Sequence, residues 1–191
     1  MQEMRRRSFL QFALAAIPVT SLFAQSSDAV SEVKPVHVVA GMDREGKKRA
    51  VGVSSTTYKI LTKDTSGALF VLEQSNHKKG GPSRHLHHNE DELFYVLEGE
   101  YIVEVGSDRF HLKPGDCVLG PRGIPHAWAF SGESSGRLLI SFAPAGKMEA
   151  FFDEREKLGI KPGAYATTQS DAAILHDFGM ELVGGPLKLD D

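Results

Sequence analysis

The 191-residue chain reads as an all-β domain, a closed antiparallel barrel or jelly roll. Three observations lead there. Short apolar, β-branched and aromatic runs recur at near-regular spacing from Thr57 to Phe142. Turn-forming groups separate them: Ser66-Gly67, Glu98-Gly99, Gly106-Ser107-Asp108, Lys113-Pro114-Gly115-Asp116 and Ser131-Gly132. Apolar residues fall at helical spacing only after Pro144.

Residues 25–35 are polar and small and read as a flexible linker. Order is expected from Val36, and Val36 to Val39 could supply a strand for pairing with a second copy. Gly41 to Arg49 reads as a basic loop whose Lys47-Lys48-Arg49 run is a solvated turn. The strand runs are then Thr57 to Leu61, Ala68 to Glu73, Glu92 to Leu97, Tyr101 to Val105, Arg109 to Leu112, Cys117 to Leu119, Ala127 to Phe130 and Leu138 to Phe142. Met148, Phe151, Phe152 and the run Arg155 to Leu158 predict an amphipathic helix stopped at Gly159. A second helix is expected over Asp171 to Phe178, capped by Ser170 and ended by Gly179.

Metal-ligand chemistry is concentrated in two stretches. His85 and His87 stand at H-x-H spacing, so a strand puts both on one face and turns Leu86 away. Glu92 shares a face with Phe94 and Val96, and His126 shares one with Trp128 and Phe130. Three imidazoles and a carboxylate can thus converge inside a barrel, where burial without an ion would be costly and a divalent ion would remove the objection. Singly the signals are bland. An H-x-H in a His-rich stretch is usually surface histidine, and the acidic run Glu90-Asp91-Glu92 reads as a solvated turn. Only the joint order points to a metal. His88 could replace His87 if the strand slipped by one residue, although the spacing to Glu92 favours His87.

Other candidates carry less. His37, His77, His111 and His176 stand apart from any ligand pattern and read as surface residues. Arg84 and Arg122 fall in turn-like segments and are expected to be exposed. Cys117 is the single cysteine, so an internal disulfide is excluded; it reads as a small buried residue. Phe94, Trp128 and Phe130 are the candidates for lining a substrate pocket. Phe70, Leu72, Val96 and Phe142 could join them but read better as ordinary core.

From Gly80 the chain reads G-x4-H-x-H-x4-E-x6-G, and from Gly115 it reads G-x5-P-x-G-x2-H. Together these runs resemble the two signature motifs of the cupin superfamily. The first glycine spacing departs by one residue, and Phe130 stands where the family has Asn. The resemblance spans roughly Val36 to Leu187 and is motif-specific between Gly80 and Phe130. It implies one cupin double-stranded β-helix over 36–187, with short C-terminal helices. Gly179 to Leu187 also resembles the closing segment of small quercetin-dioxygenase-like cupins. The resemblance further implies a single divalent transition metal (Fe, Mn, Ni, Co, Cu or Zn) on His85, His87, Glu92 and His126. The implied activity is quercetinase-like cleavage of a flavonol or related enol or phenol with O2, with Glu92 as the base. The alternatives are a non-catalytic periplasmic cupin holding a metal or small ligand, and a sugar- or oxalate-processing cupin with a polar, cationic cavity. Small cupins are commonly homodimers, so a homodimer is expected.

At the start of the chain, Arg6-Arg7-Ser8-Phe9-Leu10-Gln11 precedes an apolar stretch, Phe12 to Phe23, too short to span a membrane. It resembles a twin-arginine export signal. With Ala24 as cleavage point, residues 1–24 are the expected signal peptide, the export machinery a transient partner, and the protein periplasmic or secreted. An anchoring amino-terminal helix is the alternative. Removing 1–24 takes away a net charge of +2 and moves the formal charge from -3 to -5. That mild acidity gives no reason to expect nucleic acid.

Overall fold

Alternation along the chain becomes two facing antiparallel sheets. The computed structural model describes residues 34–47, 49–51, 54–158 and 169–189; the expected signal segment 1–24, the linker up to residue 33 and the expected helix stop at Gly159 lie outside them. In chain order the strands are β1 (Arg49–Val51), β2 (Ser54–Ile60), β3 (Phe70–Asn76), β4 (Ser83–His87), β5 (Asp91–Glu98), β6 (Tyr101–Val105), β7 (Asp108–Leu112), β8 (Cys117–Gly120), β9 (His126–Phe130), β10 (Gly136–Ala143) and β11 (Met180–Pro186). One sheet runs β1-β2-β3-β10-β5-β8 and the other β11-β4-β9-β6-β7. This is a cupin-type β-sandwich with short C-terminal helices.

The core lies between the sheets because each strand turns alternate residues inward. In β5, Glu92, Phe94 and Val96 are buried while Tyr95 is exposed. In β10, Leu138, Ile140 and Phe142 face the same interior, and Phe142 stands opposite both Phe70 of β3 and Glu92 of β5. Helix α1 (Met148–Lys157) extends this core: Phe152 lies 6.2 Å from Phe70 and 6.0 Å from Phe142, ring to ring. Helix α2 (Gln169–Asp177) adds Leu175, and Phe178 just beyond it meets Phe151. Elsewhere in the barrel, the Tyr101 hydroxyl donates to Asn76, whose amide donates to Ser54. Gly136 is needed nearby, since a Cβ there would come within 2.5 Å of the Phe130 ring.

Several expectations change. Val36 to Val39 form no strand, and Val39 is 60% exposed. Arg49 does not belong to a solvated turn: it opens β1 and is buried. Strands β1 and β11 are absent from the predicted runs, because neither is a continuous apolar stretch, and β4 was expected only through the alternation of His85 and His87. Strand β2 reaches back to Ser54 through Ser and Thr residues, of which Ser54 and Thr56 are buried. Cys117 is exposed, not buried. It lies on edge strand β8 opposite the outward-facing Tyr95, so Val118 and Gly120 take the inner face. Helix α2 covers 169–177, two residues earlier at its start than expected.

Candidate metal centre

The site forms where the two sheets face each other. Strand β4 pairs with β9 at a single register point, His85 opposite His126, which brings the H-x-H strand beside the second motif. Strand β5, in the other sheet, supplies Glu92 from across the interior. Each of His85, His87, Glu92 and His126 offers one ligand atom, and these atoms all lie within 4.8 Å of one another. Glu92 Oε2 is the hub: it is 2.9 Å from His126 Nε2, 3.1 Å from His87 Nε2 and 4.0 Å from His85 Nε2. Two atoms each bonded at about 2.1 Å to one ion lie at most about 4.2 Å apart, so the widest of these separations need close by only a fraction of an ångström for one ion to take all four ligands. Gly120, paired with Glu92, leaves room for the His126 ring, since a Cβ there would sit 3.1 Å from Nδ1.

The imidazoles are aimed from behind. His85 Nδ1 lies 2.8 Å from the Ser83 carbonyl and His126 Nδ1 3.0 Å from the Ile124 carbonyl, contacts that put the proton on Nδ1 and leave Nε2 as the donor atom. His87 differs. Its Nε2 is close to Glu92 but not aligned for a hydrogen bond, and neither ring nitrogen has a hydrogen-bond partner among the described residues. A fully buried imidazole left in that state fits a site built for an ion.

Electrostatics reflect the same crowding. Burial, then the neighbouring His126 and His87 rings, push the His85 pKa down to about 3. Burial also disfavours the charged form of His87, but the carboxylates of Glu90 and Glu92 outweigh it and raise its pKa to about 9. Glu92 is opposed by burial too, yet the His126 contact at 2.9 Å and the close His87 ring, which both favour the charged form, hold its carboxyl well below the usual range. The carboxylate is therefore ionised at neutral pH, as a ligand must be.

All four predicted ligands are thus brought together. His88 is not among them: its side chain is 51% exposed and reaches toward Glu181, which settles the register in favour of His87. Of the predicted lining residues, Phe94 packs edge-on to His126 with ring centroids 5.8 Å apart. Trp128 and Phe130 are buried against Tyr101, at 6.0 Å and 5.4 Å. Phe142, expected as plain core, stands 5.5 Å from the His87 ring. Met180 and Leu182 of β11 pair with His87 and His85, adding apolar side chains that the sequence reading did not place beside the ligands. Glu90 was also missed. It is 1% exposed instead of lying in a solvated turn. Arg84 lies on β4, half-buried, with hydrogen bonds to Glu104 and the Gly106 carbonyl, whereas Arg122 is exposed as expected and pairs with Asp91. His37, His77, His111 and His176 are all exposed.

Residues 73–142, from β3 to β10, match the cupin domain family. Over that stretch the chain is similar to cupin domains. The curated relative matched is uncharacterized protein MJ1618 of Methanocaldococcus jannaschii, 33% identical over 42 residues, 22% of this chain and 34% of that protein. The chain thus spans about a third of that relative's length. Among solved structures, KdgF from Halomonas sp. aligns with a TM-score of 0.47 and 21% identity, over 54% of this chain and 92% of its own. An RmlC-like cupin from Shewanella frigidimarina aligns with a TM-score of 0.46 and 21% identity, over 54% and 87%.

Proposed function

We propose that this cupin domain is a metal-dependent dioxygenase of the quercetinase type, acting outside the cytoplasm on a flavonol or a related enol or phenol. The observation that carries the reading is the convergence of three imidazole Nε2 atoms and one carboxylate beside aromatic walls. Nitrogen-rich donors of this kind suit Fe, Mn, Ni, Co, Cu or Zn better than the all-oxygen demands of calcium or magnesium. Bound to His85, His87, His126 and Glu92, such an ion would supply Lewis-acid and redox chemistry.

The chain's own residues support an apolar aromatic substrate. Phe94 and Phe142 flank His126 and His87 and keep water from those rings. His85 keeps 12% of its side chain exposed while His87, His126 and Glu92 are sealed, so the substrate approaches on the His85 side. Glu92, 4.0 Å from His85 Nε2, carries its charge next to that approach and takes the proton of the substrate hydroxyl. A carboxylate-processing cupin is less well supported, because Arg84 and Arg122 are engaged with Glu104 and Asp91. A non-catalytic metal- or ligand-binding cupin is the second reading.

Oxygen uptake by metal-analysed protein, measured per bound ion against flavonols and simpler enols, separates the two. The dioxygenase reading expects metal-dependent uptake. Glu92→Gln should then lose turnover far more than it loses metal, and His87→Ala should lose the metal itself. Full metal occupancy with no uptake on any substrate would move the assignment to a binding cupin.

A further inference from the structure

Glu90 lies in the turn between β4 and β5, and it is buried to 1% exposure. Its Oε2 is 3.6 Å from His87 Nδ1, and neither atom has a hydrogen-bond partner among the described residues. A carboxylate oxygen sealed from water with no donor is costly, so the position of Oε2 calls for a compensating group. The neighbouring acids do not supply a surface explanation. Asp91 is half-buried and paired with Arg122 at 2.8 Å, while Glu92 points to the opposite side of His87. Space for Glu90 is kept by Gly146, where an added Cβ would fall 1.7 Å from Glu90 Oε1.

We infer that Glu90 is a positioning residue for the metal centre, accepting the Nδ1 proton of His87 and so fixing Nε2 of that ring as the atom that faces the ion. The inference rests on the metal reading of the site. The other two histidines show the same arrangement with a weaker acceptor, a backbone carbonyl two residues earlier in each case. His87 alone has a carboxylate behind it. A contact at 3.6 Å is about 0.6 Å longer than an N–H···O bond, a gap that a small ring shift toward a bound ion's optimum can close. A carboxylate acceptor makes the imidazole a more basic ligand than a carbonyl does. It also supplies a second negative charge, so Glu90 and Glu92 together balance a divalent ion in a cavity that excludes water.

The test is Glu90→Gln, which keeps the side-chain shape, with Co2+ as probe. Two quantities are read: Co2+ affinity by chelator competition, and the exchangeable Nδ1–H resonances of the three ligand rings in the Co2+-loaded protein. The expected result is affinity lower by about 10- to 100-fold, the usual effect of losing such a partner, with one ring N–H moved and two in place. Asp91→Asn should change neither. Affinity within about twofold of the parent and three unmoved resonances would overturn the inference, leaving Glu90 as a space-filling residue. If Glu90→Gln does not fold, Glu90→Asp keeps the charge but withdraws it from Nδ1, and the same two readouts decide. A parent protein that binds Co2+ no better than His87→Ala would instead overturn the metal reading, so the two failures are distinct.

Discussion

Arg49 and His87 are both buried and both face more than one carboxylate, but only Arg49 is matched. Its Nη1 and Nη2 hydrogen-bond to Asp43 at 2.8 Å and Glu45 at 2.7 Å, and Nε faces Glu156 at 3.2 Å as an ion-pair contact outside hydrogen-bond alignment. The Tyr58 ring lies under the guanidinium at 3.7 Å, and the Tyr58 hydroxyl donates to Asp153. Asp43 also accepts the backbone N–H groups of Tyr58, Glu45 and Lys47. This cluster fastens the 43–49 segment to β2 and α1, and its charges are answered by protein groups. At the other cluster, both His87 nitrogens and Glu90 Oε2 are left without hydrogen bonds. A buried charge cluster that satisfies itself is a fastening; one that stays unsatisfied is prepared for a ligand.

The largest effect should come from breaking the fastening. Arg49→Ala leaves Asp43 buried without its cation, and loss of one partner from a buried pair costs about 3–5 kcal/mol. The lower end is expected, because Glu45, Asp153 and Glu156 keep 35%, 42% and 40% of their side chains in water. Urea unfolding measures this loss, and the folded variant should still bind one metal ion per chain. A loss below about 1 kcal/mol would mean that the Arg49 cluster is no more than a surface pairing.

Metal should sharpen the contrast from the other side. Zn2+ at a hundred times its Kd raises the unfolding free energy by about 2.7 kcal/mol if it binds only the folded chain. His126→Ala should remove that increment, and Arg49→Ala should keep it despite its lower baseline. An equal increment in His126→Ala would place the ion elsewhere.

The same two clusters show what the sequence makes legible. The four ligands could be read because strand alternation and motif spacing are short-range facts: H-x-H fixes one face, and Glu92 and His126 each open a strand. Glu90 could not be read this way. Whether an acid in a turn is solvated depends on what covers it, and here the cover comes from Gly146, more than fifty residues away. Arg49 failed for the same reason, since the end of a basic run reads as solvated until Asp43, Tyr58 and α1 close around it. Most strands were legible because apolar runs bounded by turns declare themselves. Strand β4 was legible only through its H-x-H pair, and β1 and β11 were not, being held by pairing with neighbours, as β11 is with the distant β4. Cys117 shows the limit of alternation: the period is certain, but which phase faces inward is set by the partner strand.

The smallest effect, and the finest test of the fastening, is its dependence on pH. Burial works against the Asp43 carboxylate, but the N–H groups of Tyr58, Glu45 and Lys47 and the Arg49 guanidinium outweigh it and hold its pKa below the ordinary value. A carboxyl with a depressed folded pKa contributes stability that is complete above its unfolded pKa, near 4, and is lost as pH falls through the folded one. Metal-free protein should therefore lose stability below about pH 4, with Asp43 one of the responsible groups. Asp43→Asn should be less stable than the parent at pH 7 but should lose less on acidification, so the two curves converge toward low pH. Denaturant unfolding at pH 7, 5, 4 and 3, with chelator present, gives both curves. Parallel acid limbs would shift the acid sensitivity from the Arg49 cluster to another depressed carboxyl, of which Glu73, held by Arg137 and Lys59, is the leading candidate.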